Sequence, residues 1–418
     1  MSDYIITPGS KIEGIVKISG SKNASLPILA AGLMSDGISV FDGIPKLSDT
    51  ENMAELLRSV DAECTRKPDE SISISFAQSS KKRTADSELV NKLRASFLIM
   101  GPMLARTGRI RIPLPGGCQI GARPIDLHLK GFAAMGAKIK QGHGYVDAKC
   151  DKLYGAAIYL DFPSVGATEN LMLAACLADG ETVIENAAAE PEIADLADCL
   201  IKMGAKINGA GSDTVHIKGV KELYPCRHKV IPDRIEAGTF LTLAAAARGS
   251  IMLTNVCPGH IKPITAKLEE MGFDIEAGDE ILSISPCEKF KSVDIKTLPY
   301  PGFPTDMQSQ FMSLMSVADG TGMVVETVFE NRFMQVPELL RMGAKIKIDG
   351  RTAVVDGTKK LSGAQVKATD LRAGAALVIA ALAAQGESVI GGIEHIERGY
   401  ESFAEKLKKI GVKIKTER

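Results

Sequence analysis

The chain has 418 residues, more than one hydrophobic core usually serves, so two domains are expected. It carries 50 basic and 51 acidic residues, and the net charge of −1 excludes a general basic surface for nucleic acid or an anionic membrane. Its 8 cysteines lack Cys-x-x-Cys spacing, which is typical of free thiols in a reducing compartment. With neither a leader nor a membrane-spanning stretch recognisable, we expect a cytoplasmic protein whose anion sites are local.

A short segment of one pattern recurs six times along the chain. Four copies read Met-Gly-x-x-Ile, one reads Ile-Gly-Val-Lys-Ile, and one is degenerate. In chain order the copies are Val60–Cys64, Met135–Ile139, Met203–Ile207, Met271–Ile275, Met342–Ile346 and Ile410–Ile414. Their spacing of about 70 residues exceeds the roughly 20–50 residues of solenoid repeats, so each repeat is expected to be a small supersecondary module.

Each repeat shows the same succession of helix and strand signals. Ala- or Leu-rich helical stretches are followed by glycines that we expect to end the helices, namely Gly37, Gly108, Gly180, Gly249, Gly320 and Gly386. β-Branched runs such as Thr182–Ile184, Met323–Val325 and Ser388–Ile390 then predict strands, and Pro191–Met203 predicts an amphipathic helix. With a further strand at the Lys-Ile pair and one after it, the repeat reads βαβαββ.

The last strand of the repeat is predicted in five copies and is missing from the sixth. The five strands are Ser71–Ile74, Tyr145–Val146, Thr214–Ile217, Ile281–Ile284 and Ala353–Val355. The segment from Tyr4 to Gly14 resembles the segment from Ala353 to Gly363, and it stands before the first repeat. We therefore predict that the N-terminus completes the last repeat, which gives one domain over residues 22–231 and a second over 1–21 plus 232–418. An interdomain cleft is expected between these two α/β domains.

Basic residues stand where helices are predicted to begin. They are Lys22, Arg123, Arg332, Arg372 and Arg398. A lone arginine at a helix start is usually a solvated surface charge, but free backbone N–H groups and the positive dipole end at that position suit an anion. Five such residues at matching places favour a site for a small, densely anionic ligand, since a guanidinium binds carboxylate and phosphate oxygens in two-point geometry.

Two further residues are candidates for chemistry. Cys118 lies in a Gly-rich loop, where it is either a tucked-in thiol or a reactive thiol on a lid. Asp306 follows Pro304-Thr305 at a predicted helix start, where it is either a capping residue or a base that faces the cations. The histidines lack metal-ligand spacing, and no Walker or Gly-x-Gly-x-x-Gly loop is present, so neither a metal nor a nucleotide cofactor is expected.

Five segments closely resemble the enolpyruvyl transferase family, in order and over essentially the full length. They are Gly20–Ile28, Leu114–Pro124, Phe303–Gln308, Phe329–Met334 and Asp370–Ala373. Within that family, the Cys118 loop and the Glu330–Phe333 segment are similar to the members that use UDP-N-acetylglucosamine. The resemblance implies an α/β fold of two inside-out α/β barrels, each of three βαβαββ repeats.

The resemblance also implies a reaction. The enolpyruvyl group of phosphoenolpyruvate passes to the 3-hydroxyl of UDP-N-acetylglucosamine by addition and elimination, with release of phosphate, in the first committed step of bacterial peptidoglycan synthesis. The two small molecules are then the partners, and no obligate protein partner is inferred. Two alternatives stay open, namely transfer to shikimate 3-phosphate and a catalytically silent paralogue that binds a nucleotide sugar.

Site residues follow by position from the same resemblance. Lys22, Arg123 and Arg398 are expected to hold the phosphate of phosphoenolpyruvate, and Arg332 and Arg372 its carboxylate, with Asn23 nearby. The residues expected at UDP-N-acetylglucosamine are Arg94, Arg123, Pro124, Ile125, Asp126, Leu127, Ser164, Val165, Gly166, Asp306 and Val328. Phe162 stands where some relatives carry a lysine.

Catalysis is expected to involve Cys118, Asp306, Lys22 and Arg398. Asp306 would accept the proton of the sugar hydroxyl as that oxygen attacks C2 of the enol. The family assigns protonation of C3 to the thiol corresponding to Cys118, which can also trap the ligand covalently and which fosfomycin alkylates. The cations would stabilise negative charge while phosphate departs.

Overall fold

The computed structural model describes residues 2–9, 11–77, 79–114 and 125–417, and the side chain of residue 94 is outside that description. The first half of the chain alternates short strands and helices. Its elements are β1 Asp3–Thr7, β2 Glu13–Lys17, α1 Lys22–Ala31, β3 Ile38–Asp42, α2 Ser48–Ser59, β4 Glu63–Arg66, β5 Ile72–Ser75, α3 Ser87–Lys92, a 3₁₀ helix Arg94–Ile99, α4 Met100–Thr107, β6 Arg109–Pro113, α5 Asp126–Ala134, β7 Lys138–Gly142, β8 Tyr145–Lys149, β9 Ala157–Tyr159, α6 Val165–Ala175, β10 Glu181–Glu185, α7 Pro191–Lys202, β11 Lys206–Asn208, β12 Thr214–Lys218 and β13 Arg227–Lys229.

The second half continues the same alternation. Its elements are α8 Arg234–Ala246, β14 Ser250–Thr254, a 3₁₀ helix Pro258–Ile261, α9 Lys262–Met271, β15 Ile275–Ala277, β16 Ile281–Ile284, β17 Ile295–Lys296, a 3₁₀ helix Thr305–Met307, α10 Gln308–Met315, β18 Thr321–Val325, α11 Val336–Arg341, β19 Lys345–Asp349, β20 Thr352–Asp356, β21 Leu361–Ser362, β22 Gln365–Lys367, α12 Leu371–Ala383, β23 Ala384–Gln385, β24 Ser388–Gly391, α13 Glu394–Glu397, α14 Phe403–Lys409 and β25 Lys413–Glu417. Within the described residues, no helix is long and apolar enough to span a bilayer.

The repeats form sheets that share one strand order. In the sheet β9-β10-β12-β11, β9 runs parallel to β10, and the other neighbours are antiparallel. The same order recurs in β13-β3-β5-β4, β2-β14-β16-β15, β17-β18-β20-β19 and β22-β24-β1-β25, and β6-β8-β7 is its three-stranded counterpart. Buried Val215 and Ile217 alternate with exposed His216 along β12, so one face of the sheet packs on the core. Taken with the helices, this is the βαβαββ order that the sequence predicts.

Three of these sheets contain a strand that is distant in sequence. β1 lies between β24 and β25, with Tyr4 opposite Ile390 on one side and Thr416 on the other. β2 runs parallel to β14, and β13 runs parallel to β3. The sheet of the last repeat therefore takes its central strand β1 from the N-terminal segment.

The described chain divides into two compact units. One contains residues 20–114 and 125–231 and is called the 20–231 unit below; the other contains residues 2–19 and 232–417 and is called the 232–417 unit. Each unit has its own buried apolar core. In the 232–417 unit, α8, α10 and α12 pack against one another and are buried along most of their length. Such helices, buried on nearly all sides, belong to a core with amphipathic sheets around it.

The turn after the second helix of each repeat requires a left-handed backbone. Gly136, Gly204, Gly272, Gly343 and Gly411 all have φ between 88° and 109°, and in the degenerate first copy Asp61 takes this conformation with φ 70°. Glycine adopts this conformation without the steric cost that a Cβ imposes, which explains why the Met-Gly segment recurs.

The glycines predicted to end the first helices behave differently. Only Gly108 follows its helix directly, as the left-handed cap of α4. Elsewhere the helix ends earlier, and the glycine occupies the turn before the strand; α6, for example, ends at Ala175, ahead of Gly180. In the fourth repeat Arg248 takes the positive φ instead, while a Cβ on Gly249 would lie 2.6 Å from the Ile12 carbonyl oxygen. The predicted helix ends were therefore wrong except at Gly108.

Candidate active site

A carboxylate between two guanidinium groups marks the 232–417 unit. Asp306 lies in the 3₁₀ helix that precedes α10; its Oδ1 is 2.7 Å from Nη2 of Arg332, and its Oδ2 is 3.0 Å from Nη2 of Arg372. Both arginine side chains are nearly buried, at 5% and 2% exposure, whereas that of Asp306 is 25% exposed. The two guanidinium groups therefore converge on one pair of carboxylate oxygens close to solvent.

A chain of hydrogen bonds fixes the position of the Arg332 guanidinium. Its Nη1 donates to the Thr305 hydroxyl at 2.9 Å, and that hydroxyl donates to Oε2 of Glu326 at 2.8 Å. The Glu326 side chain is fully buried, and its Oε1 also accepts from the Thr297 hydroxyl and from the backbone N–H groups of Val328 and Phe329. A buried carboxylate that accepts from so many donors constrains the local structure strongly. Without it, buried donors would be left with no hydrogen-bond partner.

Arg372 is held by Tyr400. Nη1 of Arg372 donates to the Tyr400 hydroxyl at 3.0 Å, and the guanidinium lies 5.4 Å from the ring centroid. The same hydroxyl is 3.0 Å from the Thr239 hydroxyl and 3.3 Å from Nε2 of Gln310. Burial opposes the charge of Arg372, but Tyr400 and Asp306 outweigh it and raise the pKa of the guanidinium. Burial likewise raises the pKa of Tyr400, against the effect of Arg372.

The sequence reasoning missed Tyr400, Thr305 and Glu326. Tyr400 lies only two residues after Arg398, and Glu326 lies two residues before Val328, so both were close to predicted positions. No local pattern distinguishes them, because their roles depend on contacts with residues 28 and 21 positions away in sequence.

Two of the predicted cations do not begin helices. Arg332 lies in a turn ahead of α11, which begins at Val336, and Arg398 is the C-cap of the short helix α13. Lys22 and Arg372 do lie in the first turns of α1 and α12. The prediction of matching helix starts was therefore wrong for Arg332 and Arg398, since turns inserted before α11 and α14 displace these residues from the helix.

Lys22 forms the corresponding charged pair of the 20–231 unit. It is the first residue of α1, whose N-cap Ser21 accepts from the backbone N–H of Ala24. Nζ of Lys22 is 3.5 Å from Oδ2 of Asp49, and both side chains are largely buried, at 10% and 7% exposure. Asn23 follows in the same turn and is half-buried. Asp49 is thus a direct partner of Lys22 as well as an acid in the first turn of α2.

Other predicted residues gather at the starts of α5 and α6. Ser164 is the N-cap of α6, with Val165 and Gly166 as the first residues of the helix. Asp126 and Leu127 open α5, Ile125 precedes them, and α5 packs against α6. His128 connects the two helices. Its Nδ1 is 3.0 Å from Nδ2 of Asn170, its ring meets Phe97 edge to face, and burial lowers its pKa to about 4.

Several predicted residues are only partly covered by the structure. Cys118, Arg123 and Pro124 lie outside the described residues, and for Arg94 only the backbone, at the start of a 3₁₀ helix, is described. Val328 is half-buried beside Glu326, and Phe162 is 44% exposed. Among the described residues, no group of three or more His, Cys, Asp and Glu side chains is arranged to hold a metal ion.

Comparison with known proteins assigns the chain to a family. Residues 6–407 match the family described as EPSP synthase (3-phosphoshikimate 1-carboxyvinyltransferase). The chain belongs to the EPSP synthase family. Two solved structures share its fold: the enolpyruvyl transferase NikO from Streptomyces tendae, with TM-score 0.89, 24% identity and coverage of 99% of this chain and 98% of that one, and EPSP synthase from Acinetobacter baumannii, with TM-score 0.79, 17% identity and full coverage of both.

Within the EPSP synthase family, the chain is more similar in sequence to another group of carboxyvinyltransferases. UDP-N-acetylglucosamine 1-carboxyvinyltransferase 1 of Caldanaerobacter subterraneus subsp. tengcongensis is 55% identical over 411 residues, 98% of each chain. UDP-N-acetylglucosamine 1-carboxyvinyltransferase 2 of Carboxydothermus hydrogenoformans is 55% identical over 416 residues, 99% of each chain. The corresponding enzyme 2 of Clostridium tetani is 52% identical over 414 residues, again 99% of each.

Proposed function

We propose that this chain transfers the enolpyruvyl group of phosphoenolpyruvate to the 3-hydroxyl of UDP-N-acetylglucosamine, with release of phosphate, at the start of peptidoglycan synthesis in the bacterial cytoplasm. The observation that carries the proposal is near-full-length identity of 52–55% to carboxyvinyltransferases named for that acceptor. The family is named for 3-phosphoshikimate, but the EPSP synthase of known structure shares only 17% of its residues with this chain.

The anion sites support this reaction by their chemistry. Arg332 and Arg372 converge on the Asp306 carboxylate at 2.7 and 3.0 Å, so their geometry suits a carboxylate ligand. In the proposal, the carboxylate of phosphoenolpyruvate takes these donors, and the phosphate is held by Lys22, Arg123 and Arg398. These cations are proposed to stabilise the negative charge that develops as phosphate leaves.

Asp306 is the proposed base. A substrate carboxylate that engages Arg332 and Arg372 competes with Asp306 for the same N–H donors. The displaced Asp306 oxygens can accept the proton of the sugar 3-hydroxyl as it attacks C2 of the enol. The 25% exposure of the Asp306 side chain is consistent with access by a substrate hydroxyl.

Other groups complete the proposed cycle. Cys118 supplies the proton to C3 as the tetrahedral adduct forms; phosphate then leaves C2 while C3 returns a proton to the Cys118 thiolate, which restores the C2=C3 double bond and gives the enolpyruvyl ether. Arg94, Arg123–Leu127, Ser164–Gly166 and Val328 are proposed to contact UDP-N-acetylglucosamine. Tyr400 and Glu326 act as positioning residues, since they hold the guanidinium of Arg372 and, through Thr305, that of Arg332.

Phosphate release from phosphoenolpyruvate, measured with each acceptor in turn, tests the proposal. Release with UDP-N-acetylglucosamine alone is expected. Release with shikimate 3-phosphate alone would overturn the proposal, and no release with either acceptor would favour a silent nucleotide-sugar-binding protein.

The thiol has a separate test. We expect Cys118→Ser to lose nearly all turnover and to resist alkylation by fosfomycin, because a serine hydroxyl is a much weaker acid and nucleophile. Mass spectrometry of the alkylated protein and the phosphate assay read the two effects independently. Full turnover in the variant would remove Cys118 as the general acid.

A further inference from the structure

Two cysteines distant in sequence meet within the 20–231 unit. Sγ of Cys199 on α7 lies 3.9 Å from Sγ of Cys226, which directly precedes β13. Cys199 is fully buried, whereas Cys226 is half-buried and therefore within reach of a small reagent. Neither thiol belongs to the anion sites described above.

The backbone holds both thiols in position. Cys199 lies within the last turns of α7, a helix of 12 residues. The backbone of Cys226 is clamped to β3, because its N–H donates to the Ser39 hydroxyl and its carbonyl accepts from the N–H of Val40. The sulfur atoms need to approach by about 2 Å to reach bonding distance, and the proposal below requires side-chain rotation to supply this shift while these backbone bonds stay in place.

The surroundings favour a thiolate at Cys226. The hydrogen bond with Cys199 lowers the pKa of Cys226, and the Lys202 ammonium adds to this effect against the influence of burial. Lys202 is exposed near the end of α7, and its Nζ is 3.1 Å from Nδ1 of His228, whose Nε2 is 2.9 Å from Oδ1 of Asp195. The nucleophile is thus the accessible sulfur, and the buried sulfur is the one placed to resolve an adduct.

We propose that Cys199 and Cys226 form a dithiol modification site that undergoes thiol–disulfide exchange with a low-molecular-weight disulfide such as oxidised glutathione. The Cys226 thiolate attacks one sulfur of the reagent, which breaks its S–S bond, releases one thiolate and forms a mixed disulfide on Cys226. Cys199 loses its proton and attacks the Cys226 sulfur, which releases the second reagent thiol. The reagent is reduced to two thiols, and the two cysteines are oxidised to one disulfide.

The product is a disulfide cross-link between α7 and the segment before β13. It closes a loop across 27 residues that contains β11 and β12. A cross-link of this kind restricts the conformations of the unfolded chain more than those of the folded chain. The oxidised protein should therefore unfold at a temperature several degrees higher than the reduced protein.

Peptide mapping of the full-length chain tests the proposal. The protein is treated with oxidised glutathione, remaining thiols are alkylated, and the digest is analysed by mass spectrometry. We expect a peptide pair joined at Cys199 and Cys226, about 2 Da lighter than the two reduced peptides, that disappears on reduction. Cys176, fully buried at the end of α6, is the matched control for Cys199 and should stay unmodified.

Single substitutions separate the two roles. In Cys199→Ser, and in Cys199→Ala if the buried hydroxyl impairs folding, glutathione should stay on Cys226 as a mixed disulfide. In Cys226→Ser, Cys199 should stay as unreactive as Cys176. A lasting mixed disulfide on Cys226 of the unsubstituted chain without the joined pair would overturn the proposal, as would equal modification of Cys199 in Cys226→Ser.

The charge of Lys202 has its own control. Lys202→Met should slow the first exchange step roughly two- to threefold by removing a cation beside the thiolate. Lys206→Met removes another exposed cation, on β11, and should leave that rate unchanged. Equal rates in Lys202→Met and the unsubstituted chain would contradict the proposed activation of Cys226.

Discussion

Two helix starts within the 232–417 unit are built alike and carry opposite charges. α8 is capped by Asp233, which accepts from the backbone N–H groups of Ile235 and Glu236; α12 is capped by Asp370, which accepts from those of Arg372 and Ala373. The side chain buried in the first turn is an acid in α8 and a guanidinium in α12. The cap thus belongs to the repeated scaffold, whereas the charge that follows it is free to differ.

The partners of the two charges differ in their exposure. Glu236 is closed off inside the protein, since its carboxylate accepts from Lys406 and from the backbone N–H of Ser19, and burial raises its pKa. Arg372 instead faces Asp306, which a second arginine shares and which reaches solvent. The buried ion pair of Glu236 serves the fold. Arg372, whose partner is accessible to solvent, can exchange that partner for a ligand.

The strongest test of this contrast is Asp306→Asn. We expect kcat to fall by about 100- to 10,000-fold, because an amide cannot accept the hydroxyl proton. The phosphate-release assay with both substrates measures the loss. Asp147→Asn, which removes a carboxylate from an exposed pair with Arg109, is the control. A decrease in kcat of less than about threefold in Asp306→Asn would contradict the proposed difference between the structural charge of Glu236 and the functional charge of Arg372.

Tyr400→Phe tests how firmly Arg372 must be held. The variant keeps the aromatic ring but removes the hydroxyl that accepts from Arg372, so kcat/KM for phosphoenolpyruvate should fall by about tenfold, mainly through KM. Tyr154→Phe, on an exposed side chain, should show no change. Unchanged kinetics in Tyr400→Phe would mean that the Tyr400 hydroxyl is not needed to orient Arg372.

Glu236→Gln tests the other side of the comparison. It removes the charge of the Glu236 carboxylate that pairs with Lys406 in a nearly buried place, so we expect a loss of about 1–3 kcal/mol of unfolding free energy in denaturant titration. Activity should stay within about twofold, because Glu236 lies outside the proposed anion sites. Glu276→Gln on the exposed strand β15 is the control. A large kinetic loss at unchanged stability would place Glu236 in the site and remove the distinction.

His128 extends the comparison to the helix starts of the 20–231 unit. Because burial lowers its pKa from 6.5 to about 4, the unfolded chain takes up a proton in this range that the folded chain does not. Stability contributed by the neutral ring is therefore present above pH 6.5 and is lost as the pH falls towards 4. Since the side chain is partly exposed, we expect about 1–2 kcal/mol of this loss in denaturant unfolding at pH 7 and pH 4.5.

The control for this last effect is a pair of variants. His128→Gln should remove its share of the pH dependence, and His216→Gln, on the exposed face of β12, should keep it. An unchanged pH dependence in His128→Gln would show that other groups produce it.

The fold was predictable to a large extent because its information is local. Period-two and helical patterns within each repeat predicted β10, β18, β24 and α7, and the Met-Gly turns follow from the left-handed backbone that glycine tolerates. The site was predictable only in part. Lys22, Asp306, Arg332 and Arg372 were named as candidates, but helix starts were assigned wrongly to Arg332 and Arg398, because a spacing pattern cannot show a turn inserted before a helix.

By itself, the sequence determined six repeats, their βαβαββ order, and a set of charges that break the repeat. Only the tertiary structure decided which of those charges meet. Asp306 lies between Arg332 and Arg372, Glu236 is closed off by Lys406, and Cys199 meets Cys226. The physical reason is the distance in sequence over which each interaction acts. Backbone propensity and turn chemistry act over a few residues, whereas buried charges and thiols find partners through the packing of elements far apart in the chain.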